Sequence, residues 1–338
     1  MFGLFSSDIG IDLGTANTLI HVAGKGIVIN EPSVVAVDRR TDKVINIGLE
    51  AKRMLGRTPG DMMAVRPMKD GVIADFRLVE SLLTHFIRRV QKRPLYFLRP
   101  RIVVGVPSGI TEVEKKAVID AAQSAGAKEV YLVAEPMAAA IGMGIPVEDP
   151  SGNMVIDIGG GTSEIAVIAL GGIVNNKSIR IAGDDFTADI EEYMRKQHNI
   201  IVGERTAERI KIEVGAAIPQ LDNPPDDYAV QGRDMLTGIP KEIRVNYAEI
   251  AHCLDKSIMK IETAVLNALE QTPPELSADI YRTGIYLTGG GALLRGLDKR
   301  LNAKTKLPIH VAEDPLRAVA RGTGIALKNF DRFTFLIK

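Results

Sequence analysis

The stretch Ile9-Gly10-Ile11-Asp12-Leu13-Gly14-Thr15-Ala16-Asn17-Thr18-Leu19-Ile20 is echoed in the second half of the chain by Val155-Ile156-Asp157-Ile158-Gly159-Gly160-Gly161-Thr162-Ser163-Glu164-Ile165-Ala166. In each, an apolar run ends in Ile-Asp-x-Gly, a turn rich in glycine and hydroxyl groups follows, and a second β-rich run begins, which is the pattern of a hairpin. The repeat implies two halves of similar architecture. A third glycine cluster, Thr288-Gly289-Gly290-Gly291, ends the strand-like Ile285-Tyr286-Leu287 and precedes a leucine-patterned helix expected from Ala292 to Leu301. Its counterpart in the first half is Ile102-Val103-Val104-Gly105-Val106-Pro107.

Helices fall where start and stop signals place them. Val79, Leu82, Leu83, Phe86, Ile87 and Val90 recur at helical spacing, with Pro94 closing the run. Thr111 and Glu114 form a capping-box pattern ahead of an alanine-rich helix that runs to Gly126. Ile250, Leu254, Ile258, Ile261, Val265 and Leu269 share one stripe of a long helix expected from about Tyr247 to Gln271, and Asp314-Pro315 opens the last helix by the cap-then-proline rule. These signals give an α/β chain in two domains. Domain I covers 1–145 with an insertion at about 32–66; domain II covers 146–338 with an insertion at about 183–245, and its last helix, about 314–327, is free to pack back on domain I.

The chain has 338 residues, more than one domain usually holds, with 46% hydrophobic and 25% charged residues, the balance of an ordinary globular protein and not of a disordered one. Forty-two basic residues match forty-two acidic ones, which argues against a general nucleic-acid binder and leaves little repulsion against self-association. The single cysteine, Cys253, has no internal disulfide partner and is expected to serve packing within the long helix. No secretory signal opens the chain and no apolar run approaches the roughly 18 residues of a membrane span, so a cytoplasmic protein is expected, touching any membrane from its surface.

Several familiar sites are absent: there is no G-x-x-x-x-G-K-[ST] loop and no G-x-G-x-x-G fingerprint, and the five histidines lack metal-ligand spacing. What remains is the pair of aspartate-bearing glycine turns. Glycines let backbone N–H groups approach oxyanions, Thr15, Asn17, Thr162 and Ser163 supply hydroxyl and amide donors, and Asp12 and Asp157 suit a hydrated cation. One such turn is common in hairpins; two facing each other would grip a polyphosphate.

These stretches, together with Glu135-Pro136-Met137-Ala138-Ala139-Ala140-Ile141-Gly142 and Leu287-Thr288-Gly289-Gly290-Gly291-Ala292, resemble the phosphate-1, connecting, phosphate-2 and adenosine motifs of the actin, sugar-kinase and heat-shock-chaperone ATPases. Within that superfamily the chain is most similar to MreB, the family of bacterial actin homologues, and the resemblance runs in order over essentially the whole sequence. It implies an actin-like ATPase fold of two ribonuclease-H-like domains, each with a smaller inserted subdomain, around a nucleotide cleft. It also implies ATP or ADP with Mg²⁺, Mg-dependent hydrolysis of ATP to ADP and phosphate coupled to filament dynamics, and homopolymeric filaments, with antiparallel pairing of protofilaments. The implied setting is the inner face of the cell membrane, the partners are membrane-bound cell-shape and wall-synthesis proteins, and the outcome is maintenance of rod shape. A heat-shock chaperone would need a substrate-binding domain after the last expected helix, where this chain stops. The alternative of a non-polymerising actin-fold ATPase or a small-molecule kinase stays open, although no polar cluster stands out as an acceptor site.

Residue by residue, the resemblance implies that Gly14, Thr15, Ala16 and Asn17 contact the β- and γ-phosphates from one side, with Gly159, Gly160, Gly161 and Thr162 on the other. Asp12 and Asp157 would hold Mg²⁺, mainly through its waters. Glu208, Arg209, Ile210 and Lys211 would border the nucleoside; on spacing alone, Glu208 and Lys211 are equally a surface pair on one helical face. Thr288, Gly289, Gly290, Gly291 and Ala292 would bring bare backbone to the adenosine and α-phosphate, or could simply form a tight turn. Glu135 lies at the carboxyl end of the strand Val130-Tyr131-Leu132-Val133, where open α/β sheets place ligands, and is the expected catalytic group that orients the attacking water with Thr162. Read without the family, it is a helix N-terminal glutamate that the dipole favours.

Two apolar elements are expected to meet a membrane. Met1, Phe2, Leu4 and Phe5 would share one side of a helical turn, and Leu95, Tyr96, Phe97 and Leu98 lie between prolines among Arg88, Arg89, Lys92, Arg93, Arg99 and Arg101. The other reading is that Leu95 to Leu98 is a buried strand and the N-terminus packs locally.

Overall fold

The computed structural model describes residues 8–58, 60–91, 99–330, 333 and 335–337. Both expected membrane elements, Met1 to Phe5 and Leu95 to Leu98, lie outside the described residues, as does Pro94.

In the first half, β1 (Ile9–Leu13), β2 (Asn17–Val22) and β3 (Gly26–Pro32) form an antiparallel meander. A small sheet follows, built from β4 (Val35–Asp38), β5 (Lys43–Ile47) and β6 (Met62–Val65) with helix α1 (Leu49–Met54). The short hairpin of β7 (Met68–Lys69) and β8 (Val72–Ile73) leads to α2 (Phe76–Val90), β9 (Arg101–Val106), α3 (Glu112–Ser124), β10 (Glu129–Ala134) and α4 (Glu135–Gly142). The main sheet has the order β10-β9-β1-β2-β3, in which β9 runs parallel to both β1 and β10.

The second half repeats this plan. It comprises β11 (Asn153–Ile158), β12 (Ser163–Ala169), β13 (Gly172–Ile179), α5 (Gly183–His198), β14 (Ile200–Ile201), α6 (Glu204–Val214), β15 (Tyr228–Asp234), β16 (Pro240–Val245), α7 (Tyr247–Glu270), α8 (Pro274–Thr283), β17 (Ile285–Thr288), α9 (Leu297–Thr305), β18 (Ile309–Val311) and α10 (Ala318–Lys328). Its main sheet runs β13-β12-β11-β17-β18. The two halves therefore correspond strand for strand, with β1 matching β11 and β9 matching β17. Asp12 pairs with Gly105 across β1 and β9 as Asp157 pairs with Thr288 across β11 and β17. Parallel strands covered on both faces read as continuous apolar runs, as Ile102-Val103-Val104 does.

The Thr111/Glu114 capping box forms on α3, and Asn246 with Glu249 makes a second at the start of α7. Two expectations need correction. The leucine-patterned segment is not one helix from Ala292: a 3-10 turn spans Gly290–Leu293, and α9 begins only after Gly296, which holds a positive φ of 75°. The last helix starts at Ala318 instead of 314, because the Pro315 carbonyl is occupied by the Gly289 amide and the Thr288 hydroxyl, both at 3.1 Å, so the preceding residues lie over the glycine turn.

Each half has its own core, and a third apolar cluster joins them. In that cluster Met137 to Ile141 of α4 pack with Ala318 and Val319 of α10 and with Val103, Val155 and Ile168 from both sheets. The two helices touch backbone to backbone. A Cβ on Gly142 would stand 1.9 Å from the Ala318 carbonyl oxygen, and one on Gly322 would stand 1.7 Å from that of Ala138. α4 begins with Glu135, so this contact fixes where that carboxylate enters the space between the halves.

Candidate functional site

A cavity of about 470 Å³ opens between the halves. The β1–β2 turn contributes Asp12, Gly14, Thr15, Ala16 and Asn17, and the β11–β12 turn contributes Asp157, Gly159, Gly160, Gly161 and Thr162. Glu135, Glu208, Lys211, Gly289, Gly290 and Gly291 complete the sequence-predicted residues in its lining. Five others fall outside it, among them Ser163, which is fully buried and donates its hydroxyl to the Ile181 carbonyl at 2.6 Å. Arg209 faces solvent and Ile210 is buried in the core of the second half, because one helical face cannot carry four successive residues; Thr288 and Ala292 are buried beside the glycine turn. A separate open depression of about 600 Å³ between β5 and α2 gathers none of the residues expected to hold nucleotide or cation.

The two glycine turns face each other closely. A Cβ on Gly160 would lie 2.8 Å from that of Ala16, and one on Gly161 would lie 2.8 Å from the Thr15 hydroxyl oxygen. Only bare backbone fits there. The Gly71 amide donates to Thr15 Oγ1 at 3.1 Å, and Ser33 Oγ donates to the Gly14 carbonyl at 2.7 Å, so the first turn is held from behind. On the other side, the amides of Gly183 and Asp184 donate to the carbonyls of Gly159 and Gly160 at 3.1 and 2.7 Å. Lys211 Nζ donates to the Gly183 carbonyl at 2.7 Å and to Thr187 Oγ1 at 2.9 Å, which ties α6 to the start of α5.

Three carboxyl groups converge on the cavity floor. Burial pushes Asp12 up to about 7. Asp157, 6% exposed, is pushed up to about 8, first by burial and then by the charges of Asp12 and Glu164. Burial, then Asp12, Asp157 and Glu164, holds Glu135 well above the usual carboxylate range. Such a group of acids lacks positive charge, and a hydrated divalent cation carried by phosphates would supply it, so Asp12 and Asp157 fit Mg²⁺. No set of three or more His, Cys, Asp or Glu side chains arranged to hold a metal occurs among the described residues.

Several lining residues were not expected from the sequence. Ile212, Leu293 and Leu316 leave apolar surface exposed at the cavity wall. Gly71 is the tip of the β7–β8 hairpin, and its Asp70-Gly71 pair is a turn signal that could have marked it. Asp184 receives two hydrogen bonds from Arg66 of the first insertion, at 3.1 and 3.2 Å, and burial raises its pKa against that partner. Lys52 meets Glu208 at 3.1 Å. Cys253 is half-buried against the core of the second half, and burial pushes its thiol up to about 12, in keeping with a packing role.

Two equivalent sheets that meet over paired glycine turns and paired strand-end aspartates define a protein of the actin-like class. The family model of the MreB/Mbl protein matches residues 6–334. The chain is 52% identical over 329 residues to the cell shape-determining protein Mbl of Bacillus subtilis strain 168, covering 97% of this chain and 98% of that protein. It is 52% identical over 335 residues to the cell shape-determining protein MreB of Escherichia coli strain K12, covering 97% and 95%. Crystal structures of MreB5 of Spiroplasma citri bound to ADP and to AMPPNP each superpose with a TM-score of 0.92 at 40% identity, over 97% of this chain and 98% of that one. The chain belongs to the MreB/Mbl family, and its fold is the actin-like one.

Proposed function

We propose that this protein binds ATP with Mg²⁺ in the cavity between its halves, hydrolyses it to ADP and phosphate, and polymerises into filaments on the inner face of the cell membrane that organise wall synthesis and maintain rod shape. The observation that carries the reading is the apposition of Gly160 to Ala16 above the Asp12, Asp157 and Glu135 carboxyls. Two turns of bare backbone with donors, facing across a charged floor, suit a polyphosphate and its cation. The names of the Bacillus and Escherichia relatives support the cell-shape role, and the nucleotides bound to the Spiroplasma protein support the ligand.

In this reading Gly14 to Asn17 and Gly159 to Thr162 hold the β- and γ-phosphates, while Gly289 to Gly291 admit the α-phosphate side. Ile212, Leu293 and Leu316 offer an apolar wall for the purine, and Glu208 and Lys211 border the ribose. Asp12 and Asp157 hold Mg²⁺, which neutralises phosphate charge when bound. Glu135, as the carboxylate, accepts a proton from the attacking water as the new P–O bond forms in line with the breaking β–γ bridge, and Thr162 orients the same water. The division into domains at 145/146 puts one phosphate turn in each. The β15–β16 hairpin leaves Met235, Leu236 and Ile239 exposed at its tip, an apolar surface suited to a head-to-tail contact between subunits. No helix among the described residues is long and apolar enough to cross a membrane, and membrane contact is assigned to Met1 to Phe5 and Leu95 to Leu98.

Sedimentation and electron microscopy of the full chain with ATP and Mg²⁺, with ADP and without nucleotide, on anionic vesicles and off them, test this reading. Nucleotide-dependent filaments that coat the vesicles are expected. Monomers under every condition would replace it with a non-polymerising ATPase or kinase.

A further inference from the structure

The buried carboxylate of Glu164 belongs to none of these roles. It is 1% exposed and lies directly across the β11–β12 pair from Asp157. At the equivalent place in the first half, the residue across from Asp12 is Leu19. The fold therefore accommodates an apolar residue at this position, yet the second half puts a charge there, facing another acid. Like charges opposite each other in a sheet are unfavourable, and a buried carboxylate persists only with good hydrogen-bond partners.

Its partners come from both halves. Ser108, in the turn between β9 and α3, donates its backbone amide at 3.1 Å and also its hydroxyl to Glu164 Oε2, and the Ser178 hydroxyl of β13 donates to Oε1. The Ser108 turn adjoins the reaction centre. Val106 pairs with Ala134 at the ends of β9 and β10, which sets Pro107 level with Glu135. A Cβ on Gly105 would lie 3.7 Å from Glu135 Cγ, and one on Gly71 would touch both Thr162 and Pro107, at 2.8 and 3.0 Å. The turn that carries Ser108 thus runs beside Glu135 in its own half and Thr162 in the other.

We propose that Glu164 is a positioning residue for hydrolysis: by gathering the donors of Ser108 and Ser178, it pins the β9–α3 turn to β12 and sets the reach between Glu135 and Thr162. The role rests on the hydrolytic reading above. It predicts that loss of the clasp loosens the geometry of attack while leaving the phosphate clamp in place. Misplacing a reacting group by about 1 Å costs on the order of a hundredfold in rate.

The test is single-turnover phosphate release from ATP and Mg²⁺ at saturating occupancy, alongside AMPPNP affinity, for the parent, Glu164→Ala, Glu164→Gln, Ser108→Ala and the Ser108→Ala/Glu164→Ala double variant. Glu164→Ala is expected to slow release by about tenfold to a hundredfold with affinity changed less than about twofold. Glutamine, which retains an acceptor for the Ser108 amide, restores most of the rate. Ser108→Ala, a milder change, slows release in part, and the double variant is no slower than Glu164→Ala alone, as expected of residues acting as one unit. Parental release by Glu164→Ala overturns the positioning role and leaves the hydrolytic reading standing. Rate and affinity falling together without rescue by glutamine overturn it in favour of plain structural support. A parent that binds ATP and releases no phosphate overturns the hydrolytic reading and this role together.

Discussion

Lys52, on the short helix of the first insertion, stands 3.1 Å from the carboxylate of Glu208, 156 residues further along and on α6 of the other half. Arg66 makes a second crossing to Asp184 and Glu204. Glu208 and Asp184 both line the cavity, so these bridges span its edge, where nucleotide would enter and leave. Both lysine and glutamate are 28% exposed, and a pair of that kind contributes up to about 1 kcal/mol. Lys52→Ala is therefore expected to speed dissociation of a fluorescent ADP analogue by up to about fivefold, with a larger effect in Arg66→Ala. Unchanged dissociation in both variants would show that the bridges do not hold the cleft.

Gly160→Val would drive a branched side chain into Ala16, whose Cβ already lies 2.8 Å from the ideal Cβ position. The two phosphate turns would be forced apart. Calorimetry should record a loss of ATP affinity of at least about tenfold, or about 1.4 kcal/mol. Parental affinity would remove the second turn from the clamp.

Gly322→Ala tests the seam of α4 and α10. The added methyl meets the Ala138 carbonyl at 1.7 Å, backbone that cannot rotate away, and overpacking of this kind costs about 1 to 3 kcal/mol or more. Gly203→Ala is the control, since nothing lies within 4 Å of its added Cβ. Denaturant midpoints should fall clearly for the first variant and barely for the second.

The raised carboxyls make stability depend on pH in a stated direction. Asp12 and Asp157 titrate near 3.8 when free and at about 7 and about 8 in the fold, so the folded protein keeps protons that the unfolded chain has released. Stability of the nucleotide-free protein is then greatest below 3.8, as far as these two groups are concerned, and is lost as pH rises through about 7 and about 8. Each retained proton gives a slope of about 1.4 kcal/mol per pH unit within that window. Unfolding midpoints should drop as pH rises from about 4 and level off above about 8, and Asp157→Asn should flatten the curve. A midpoint independent of pH would mean that the floor is not electrostatically strained.

Much of this was legible in the sequence because it is local. The Ile-Asp-x-Gly turns announced their hairpins, and the strand-end positions of Asp12, Asp157 and Glu135 followed from the apolar runs before them. The long stripe from Ile250 to Leu269 gave α7 almost to the residue. The four-residue stretch from Glu208 to Lys211 was too coarse, since helix geometry sends Ile210 to the core and Arg209 to solvent. The Lys52 and Arg66 crossings left no trace, because half-buried charges at separations above a hundred residues have no periodicity to read. Nor did the Ser108 clasp, whose meaning depends on a turn from one half meeting a strand of the other.

In the proposed function the cavity hydrolyses ATP with Glu135 acting on water and the glycine turns acting on phosphate. Phosphate release and AMPPNP affinity, measured together on the parent and on Glu135→Ala, test it most directly. The variant is expected to keep affinity within about twofold while release falls by about a hundredfold or more. Release at the parental rate from the Glu135→Ala protein would contradict it.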